Sequence, residues 1–281
     1  MSRPVNAKRV AGGVARYVGL LLILTGVLAP YVVMLITSLT PKAELAAAGA
    51  SLLPKTVTLE AYVELVTTTH FLEYLRNSLL VALMSVPITL VCATGAAIAL
   101  SRFEFVGRRQ TMTILILAQM LPAVLLVLSL QQQLNVFGLL DSKIGLALVH
   151  SAFATPFATW LLKGFLDGIP RELEESGQID GASAWQIIRL LILPLLLPGL
   201  VAAGTYAFIL TWNEFLYALT FTSSPATRTL PVGLQLFIGE YQIRWDLLTA
   251  GGVLSVLPVV VGFLLVQKRL VAGLAAGAVK G

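Results

Sequence analysis

Charge is the scarcest property of this sequence. Only 12% of its 281 residues are charged, against about 25% in soluble domains. With 57% hydrophobic residues and a mean hydropathy of +0.88, the chain reads as an all-α integral membrane protein. Cysteine is almost absent: Cys92 stands alone, so no intrachain disulfide forms, and its apolar run suggests a small buried hydrophobe. The two histidines, His70 and His150, have no Cys, His or carboxylate at ligand spacing, which argues against a metal site. The motifs GxxxxGK(S/T), HExxH and GxSxG are all missing, so no nucleotide is held by a P-loop and no catalytic residue is assigned. No lysine or carboxylate stands in mid-span, where a charge costs roughly 2.5–3.5 kcal/mol. That disfavours ion-coupled secondary transport, although neutral oxygens can bind sodium.

What is present is a series of apolar runs. Six are long enough to cross a bilayer, at about 17–39, 75–100, 112–134, 144–166, 190–210 and 247–266, within a single membrane domain covering 1–281. The first run is too long for the core of a signal peptide. Between the first two runs lies a polar segment with room for a short surface helix at 59–67. Six spans put both termini on one side. That side carries 13 of the 19 Lys and Arg residues and the other carries 6, so the positive-inside rule makes both termini cytoplasmic. The net charge of +5 then follows from topology and calls for no nucleic acid.

The longest polar break on the cytoplasmic side runs over 168–189 and continues to Pro194. Pro170 suits a helix start, and Glu172, Glu174 and Glu175 suit the positive end of a helix dipole. Asp180-Gly181 then breaks that helix, and a second helical segment leads into the fifth span. From the residues alone this is either a docking surface or an amphipathic loop lying on lipid. After the fifth span, Trp212-Asn213-Glu214-Phe215-Leu216-Tyr217 is either an interfacial aromatic belt or a place where Asn213 and Glu214 meet a solute path. Thr89, Thr94, Ser129, Ser151, Thr155, Thr159, Thr205, Tyr206 and Thr211 within the spans either bind helices together or line a route for a hydroxyl-rich solute.

The polar break also carries a recognisable spacing. Glu175-Ser176-Gly177, three residues, Gly181, nine residues, then Leu191-x-Leu193-Pro194 resembles the EAA loop of ABC importer permeases, with Ser176, Gly177 and Leu191 in place of two alanines and an isoleucine. Trp212–Leu216 and Thr229-Leu230-Pro231-Val232-Gly233-Leu234 are similar to carbohydrate-type permeases, and the tail over 273–281 looks like that of MalG-type subunits; taken as a whole, the sequence most resembles the actinobacterial trehalose type. The resemblance implies a type I importer permease fold of six spans with a cytoplasmic coupling helix. It implies inward transport of a disaccharide such as trehalose or maltose. It implies four kinds of association: a second, different permease, two ATPase subunits, an extracytoplasmic sugar-binding lipoprotein and membrane lipid. ATP and Mg would sit on the ATPase, with no cofactor on this chain. Glu175, Ser176, Gly177, Asp180, Gly181, Ala182, Leu193 and Pro194 would couple to the ATPase, and Ala276, Gly277, Lys280 and Gly281 would touch it from the tail (270–281). Asn213, Glu214, Tyr217, Thr229, Leu230 and Gly233 would lie on the solute path or against the binding protein.

Overall fold

A computed structural model describes residues 7–47, 53–239 and 242–278. In chain order the helices are α1 (Ala7–Ser38), α2 (Lys42–Leu45), α3 (Glu60–Thr68), α4 (Phe71–Arg102), α5 (Arg108–Ala118), α6 (Ala123–Val136), α7 (Lys143–Asp167), α8 (Glu172–Ile179), α9 (Ala184–Ile187), α10 (Leu193–Asn213), α11 (Leu216–Phe221), α12 (Leu230–Gln235) and α13 (Trp245–Ala278). A π-helical turn, Ile188–Ile192, joins α9 to α10 without a break. Among the described residues, five stretches are long and apolar enough to cross a membrane: Arg16–Ser38, Phe71–Arg102, Lys143–Asp167, Ala184–Asn213 and Trp245–Gln267. The pair α5 and α6, bent by 99°, makes a sixth if it counts as one broken span.

That bend falls inside the span expected over 112–134, at its proline. Pro122 is the N-cap of α6. A residue before proline is pushed out of the α region, so α5 ends short of it. The side chain of Gln119 then donates to the Phe153 carbonyl at 2.7 Å, holding the break against α7. Cys92 departs from expectation: it is exposed on α4.

The chain forms two compact units. The first comprises Met1–Thr69 with Leu234–Val256. Within it the Ser38 and Tyr62 hydroxyls are 2.6 Å apart, and the Arg244 guanidinium bonds both oxygens of Glu64 (2.9 and 2.8 Å) as well as Asp246 (2.7 Å). The second comprises His70–Gly233 with Leu257–Gly281 and is built on α4, α7 and α10. Asn77 meets Lys143 near the starts of α4 and α7, while Ser101 meets Asp167 near their ends, so these two helices run parallel. Gly199, early in α10, lies against Phe165, and Thr211, near its end, bonds Ser85, so α10 runs the other way.

Small residues let these helices approach closely. Ala93 and Ala97, Ala154 and Ala158, and Ala203 and Ala207 are each four apart and fully buried. Such spacing places both on one helix face. In a bilayer, where lipid is as apolar as leucine, close van der Waals contact of small residues drives helix association. The polar groups at this contact serve the same end. Ser151 and Thr211 both reach the Ser85 hydroxyl (3.4 and 3.1 Å), while Thr155, Thr159 and Thr205 bond carbonyls of their own helices. The α4 terminus is satisfied from elsewhere: Arg108 donates to the Leu100 carbonyl (2.7 Å) and Arg171 to that of Ser101 (3.0 Å). Replacing Ala158 by Leu overfills the packed face and costs about 1–3 kcal/mol. Thermal unfolding in detergent checks this, with the same change at the exposed Ala152 as a control that leaves the midpoint in place.

Candidate functional site

The polar break folds as two short helices set at a fixed angle. The three acids Glu172, Glu174 and Glu175 occupy the first turn of α8. Pro170 lies ahead of the N-cap Arg171 rather than inside the first turn. The helix stops at Gly181, whose φ of +80° is open to glycine and strained for most other residues. The N–H of Ala182 donates to the Gly177 carbonyl (2.9 Å) and that of Gly181 to Gln178 (3.0 Å), a Schellman motif. One residue later a capping box starts α9: the Gln186 side chain accepts from the Ser183 N–H (2.7 Å), and Ser183 Oγ accepts from the Gln186 N–H (3.4 Å). Back-to-back stop and start signals leave the turn little freedom.

Gly177 faces α9. A Cβ there would lie 3.0 Å from Leu191 Cδ1 and 3.4 Å from Ile187 Cγ1, so the two arms pack together at a small residue. Leu193 and Pro194 explain the π-turn. Proline has no N–H and its ring clashes with the carbonyl four residues back. Widening the turn before it, with the Leu193 N–H bonding Ile188, keeps the helix continuous.

Glu175, which the resemblance assigns to the ATPase contact, is exposed. Its neighbour Glu174 holds the loop to the bundle. Arg102, at the end of α4, donates through Nε to Glu174 (2.6 Å) and through Nη2 to the Ile169 carbonyl (3.2 Å). Both side chains are mostly buried. A guanidinium on the preceding loop was the available sequence signal, but nothing in the spacing paired it with Glu174. Facing outward on the same element are Leu173, Ile179 and Trp185; Ile179 is 86% exposed. Ser176 bonds its own helix, and Asp180, Gly181 and Pro194 are exposed.

At the opposite end of α4 and α7 the structure gathers the second candidate group. Asn213 is exposed and bonds its own helix at Ile209. Glu214, the extended residue between α10 and α11, turns inward to His150, with Oε2 3.1 Å from Nε2. Tyr217 is buried, stacks on Phe153 with ring centroids 5.0 Å apart, and donates its hydroxyl to the Ala123 carbonyl (3.1 Å). Burial, then the nearby Glu214 carboxylate, pushes its phenol up to about 12, so the donor keeps its proton. Thr229, Leu230 and Gly233 are buried against α4: the Leu230 N–H bonds Ser78 (2.8 Å), and a side chain at Gly233 would overlap the Tyr74 ring.

The loop between α11 and α12 is held by Asn77, which donates to the carbonyls of Pro225 (3.1 Å) and Arg228 (2.9 Å), and by Lys143, which donates to Ala226 (3.1 Å). Asp141 completes the frame. Its carboxylate accepts from the backbone N–H groups of Ser223 (2.8 Å) and Ser224 (3.2 Å) and from the Thr227 hydroxyl. Burial pushes this carboxyl up, but those hydrogen bonds outweigh burial and hold it well below its ordinary value. Of the tail residues, Ala276 and Gly277 are helical within α13, and Lys280 and Gly281 lie outside the described residues.

The all-helical fold and these two ends define a membrane component of a transport system. Residues 92–275 match the family described as binding-protein-dependent transport system inner membrane component. The chain is 35% identical to the sulfoquinovosyl glycerol transport system permease protein of Agrobacterium fabrum, over 96% of this chain and 95% of that protein. It is 37% identical to the trehalose transport system permease protein of Mycobacterium tuberculosis, over 89% and 92%. A chain from the crystal structure of a bacterial ABC transporter that imports the acidic polysaccharide alginate superposes with a TM-score of 0.79 at 22% identity, covering 95% of this chain and 99% of that one. The chain belongs to the binding-protein-dependent transport system inner membrane components, and its fold is that of the type I ABC importer permeases.

Two outcomes follow from this geometry. Gly181→Pro fixes φ near −65° and removes the bond to Gln178; if the corner has the coupling role that the EAA-like spacing implies, transport is lost while the chain still inserts in the membrane, and normal uptake by that variant would sink that role. Asp141→Asn weakens the loop anchor by roughly 1–3 kcal/mol at neutral pH. Because the folded carboxyl is depressed, its stabilisation is present above the unfolded value near 4 and disappears as pH falls through the lower folded value. The stability gap between wild type and Asp141→Asn, read from unfolding midpoints, therefore closes on acidification below about pH 4.

Proposed function

We propose that this chain is one of two unlike permease subunits of an ATP-driven importer that carries a disaccharide such as trehalose or maltose into the cell. The observation that carries the reading is the α8–α9 corner: a rigid two-armed element, tied to the bundle through Arg102–Glu174, with Leu173, Ile179 and Trp185 turned outward. An exposed apolar patch beside free acids suits a protein groove better than anionic lipid. On this reading the corner sits in an ATPase subunit, with Glu175 and Asp180 as polar contacts and Gly181 setting the angle. The Ala-Gly tail reaches the same partner.

The distribution of Lys and Arg supports a cytoplasmic position for the corner and both termini. The segment after α11 then faces outward and meets a sugar-binding protein, with exposed Ser223, Pro225 and Ala226 at its tip and Thr229, Leu230 and Gly233 keeping its shape. The chain hydrolyses nothing; ATP and Mg belong to its ATPase partners. Likeness to a trehalose permease supports the disaccharide, and family membership favours this reading over an ion-coupled secondary transporter.

Mild-detergent capture of the tagged chain from its own membrane tests the assembly. It brings down an ATPase and a second permease, and the ATPase is lost when Glu175 and Gly181 are replaced together. In membrane vesicles supplied with the binding protein, trehalose uptake requires ATP and persists when ion gradients are collapsed. Recovery of the chain alone, with gradient-driven uptake, would favour the secondary transporter.

A further inference from the structure

The buried pair His150–Glu214 makes no contact with the residues assigned to the α8–α9 corner. His150 lies on α7 and is 1% exposed. Its Nε2 is 3.1 Å from Glu214 Oε2, while its Nδ1 is buried with no partner among the described residues. That arrangement fits the tautomer with its proton on Nε2, donating to the carboxylate. Glu214 has two further donors. Oε1 accepts the N–H of Tyr217 (2.8 Å) and Oε2 that of Ala218 (3.0 Å), the second and third residues of α11. A six-residue helix is too short to persist unaided. Its first N–H groups have no partner within the helix, and an acid at that end satisfies them and suits the dipole.

What α11 touches gives the pair its reach. Tyr217 stacks on Phe153 of α7 and bonds the first residue of α6, Ala123. The Phe221 carbonyl at the end of α11 accepts the Asp141 N–H (2.8 Å), and Asp141 frames the loop that follows. Fixing the start of α11 therefore fixes α6, the 141–143 turn and the 222–228 loop with respect to α7. The Glu214 oxygens already receive three donors, so the carboxylate is occupied within the chain.

We propose that His150 is a positioning residue of the transport cycle: it holds Glu214 as the clasp joining α7 to α10 and α11, and the pair governs the rate of transport without contacting solute. This rests on the permease reading. The residues that bear on the clasp come from α7 (His150, Phe153), α10 (Thr211) and α11 (Tyr217, Ala218).

The test uses the complete transporter throughout, in vesicles with trehalose as the probe and in detergent for amide exchange. His150→Leu and Glu214→Gln lower kcat by roughly ten-fold, the scale of one lost charge-assisted hydrogen bond. KM stays within about a factor of two, as expected for groups that do not touch solute. His150→Gln, whose amide can donate in place of Nε2, recovers most of the rate. Amide exchange at Tyr217 and Ala218 accelerates in His150→Leu and returns towards wild type in His150→Gln. A raised KM with kcat unchanged in Glu214→Gln would put that residue on the solute path and overturn the proposal, as would wild-type rates or wild-type exchange in all three variants. A wild-type complex that fails to move trehalose counts against that sugar as the substrate, while amide exchange needs no sugar and still decides the clasp.

Discussion

Everything in the second unit depends on how near three helix backbones can come. The alanines at 93 and 97, 154 and 158, and 203 and 207 bring α4, α7 and α10 together where lipid offers no hydrophobic incentive. Close approach is what lets short side chains do the remaining work. Ser85 reaches both Ser151 and Thr211 because the helices are close, and Asn77 reaches two loop carbonyls more than 140 residues away in sequence. With leucine at the packed positions, those hydroxyls and amides would point at one another across too wide a gap.

Much of the fold was legible because membrane insertion imposes long apolar runs. The helices at 71–102 and 143–167 lie over the expected spans, and α3 lies over the expected surface helix. The bend at Pro122 was not legible, since prolines also occur inside unbroken spans, as Pro87 and Pro156 do here. What decides is whether neighbours make good the lost bonds. Cys92 failed for a related reason: in a membrane protein an apolar run says nothing about which face looks inward.

The candidate site divides along the same line. The corner at Gly181 could be read directly because its determinants are local: a glycine for positive φ, then serine and glutamine at capping-box spacing. Arg102–Glu174, His150–Glu214 and Asp141–Thr227 join residues 64 to 86 positions apart. Sequence spacing carries no information on such pairs. Each buries a charge or hydroxyl that looks surplus in the sequence, and each proves to be the fastening of a short element that could not hold its shape alone.

The π-turn before Pro194 has a mechanical consequence. A helix transmits load along its axis through its ladder of backbone hydrogen bonds, and here that ladder is respaced at Leu193 and interrupted at Pro194. The corner, by contrast, is braced at both arms and bolted to α4 by Arg102. A displacement of α8 thus finds its stiffest route into α4, and through the alanine contacts into α7, while α10 receives it through a more compliant joint.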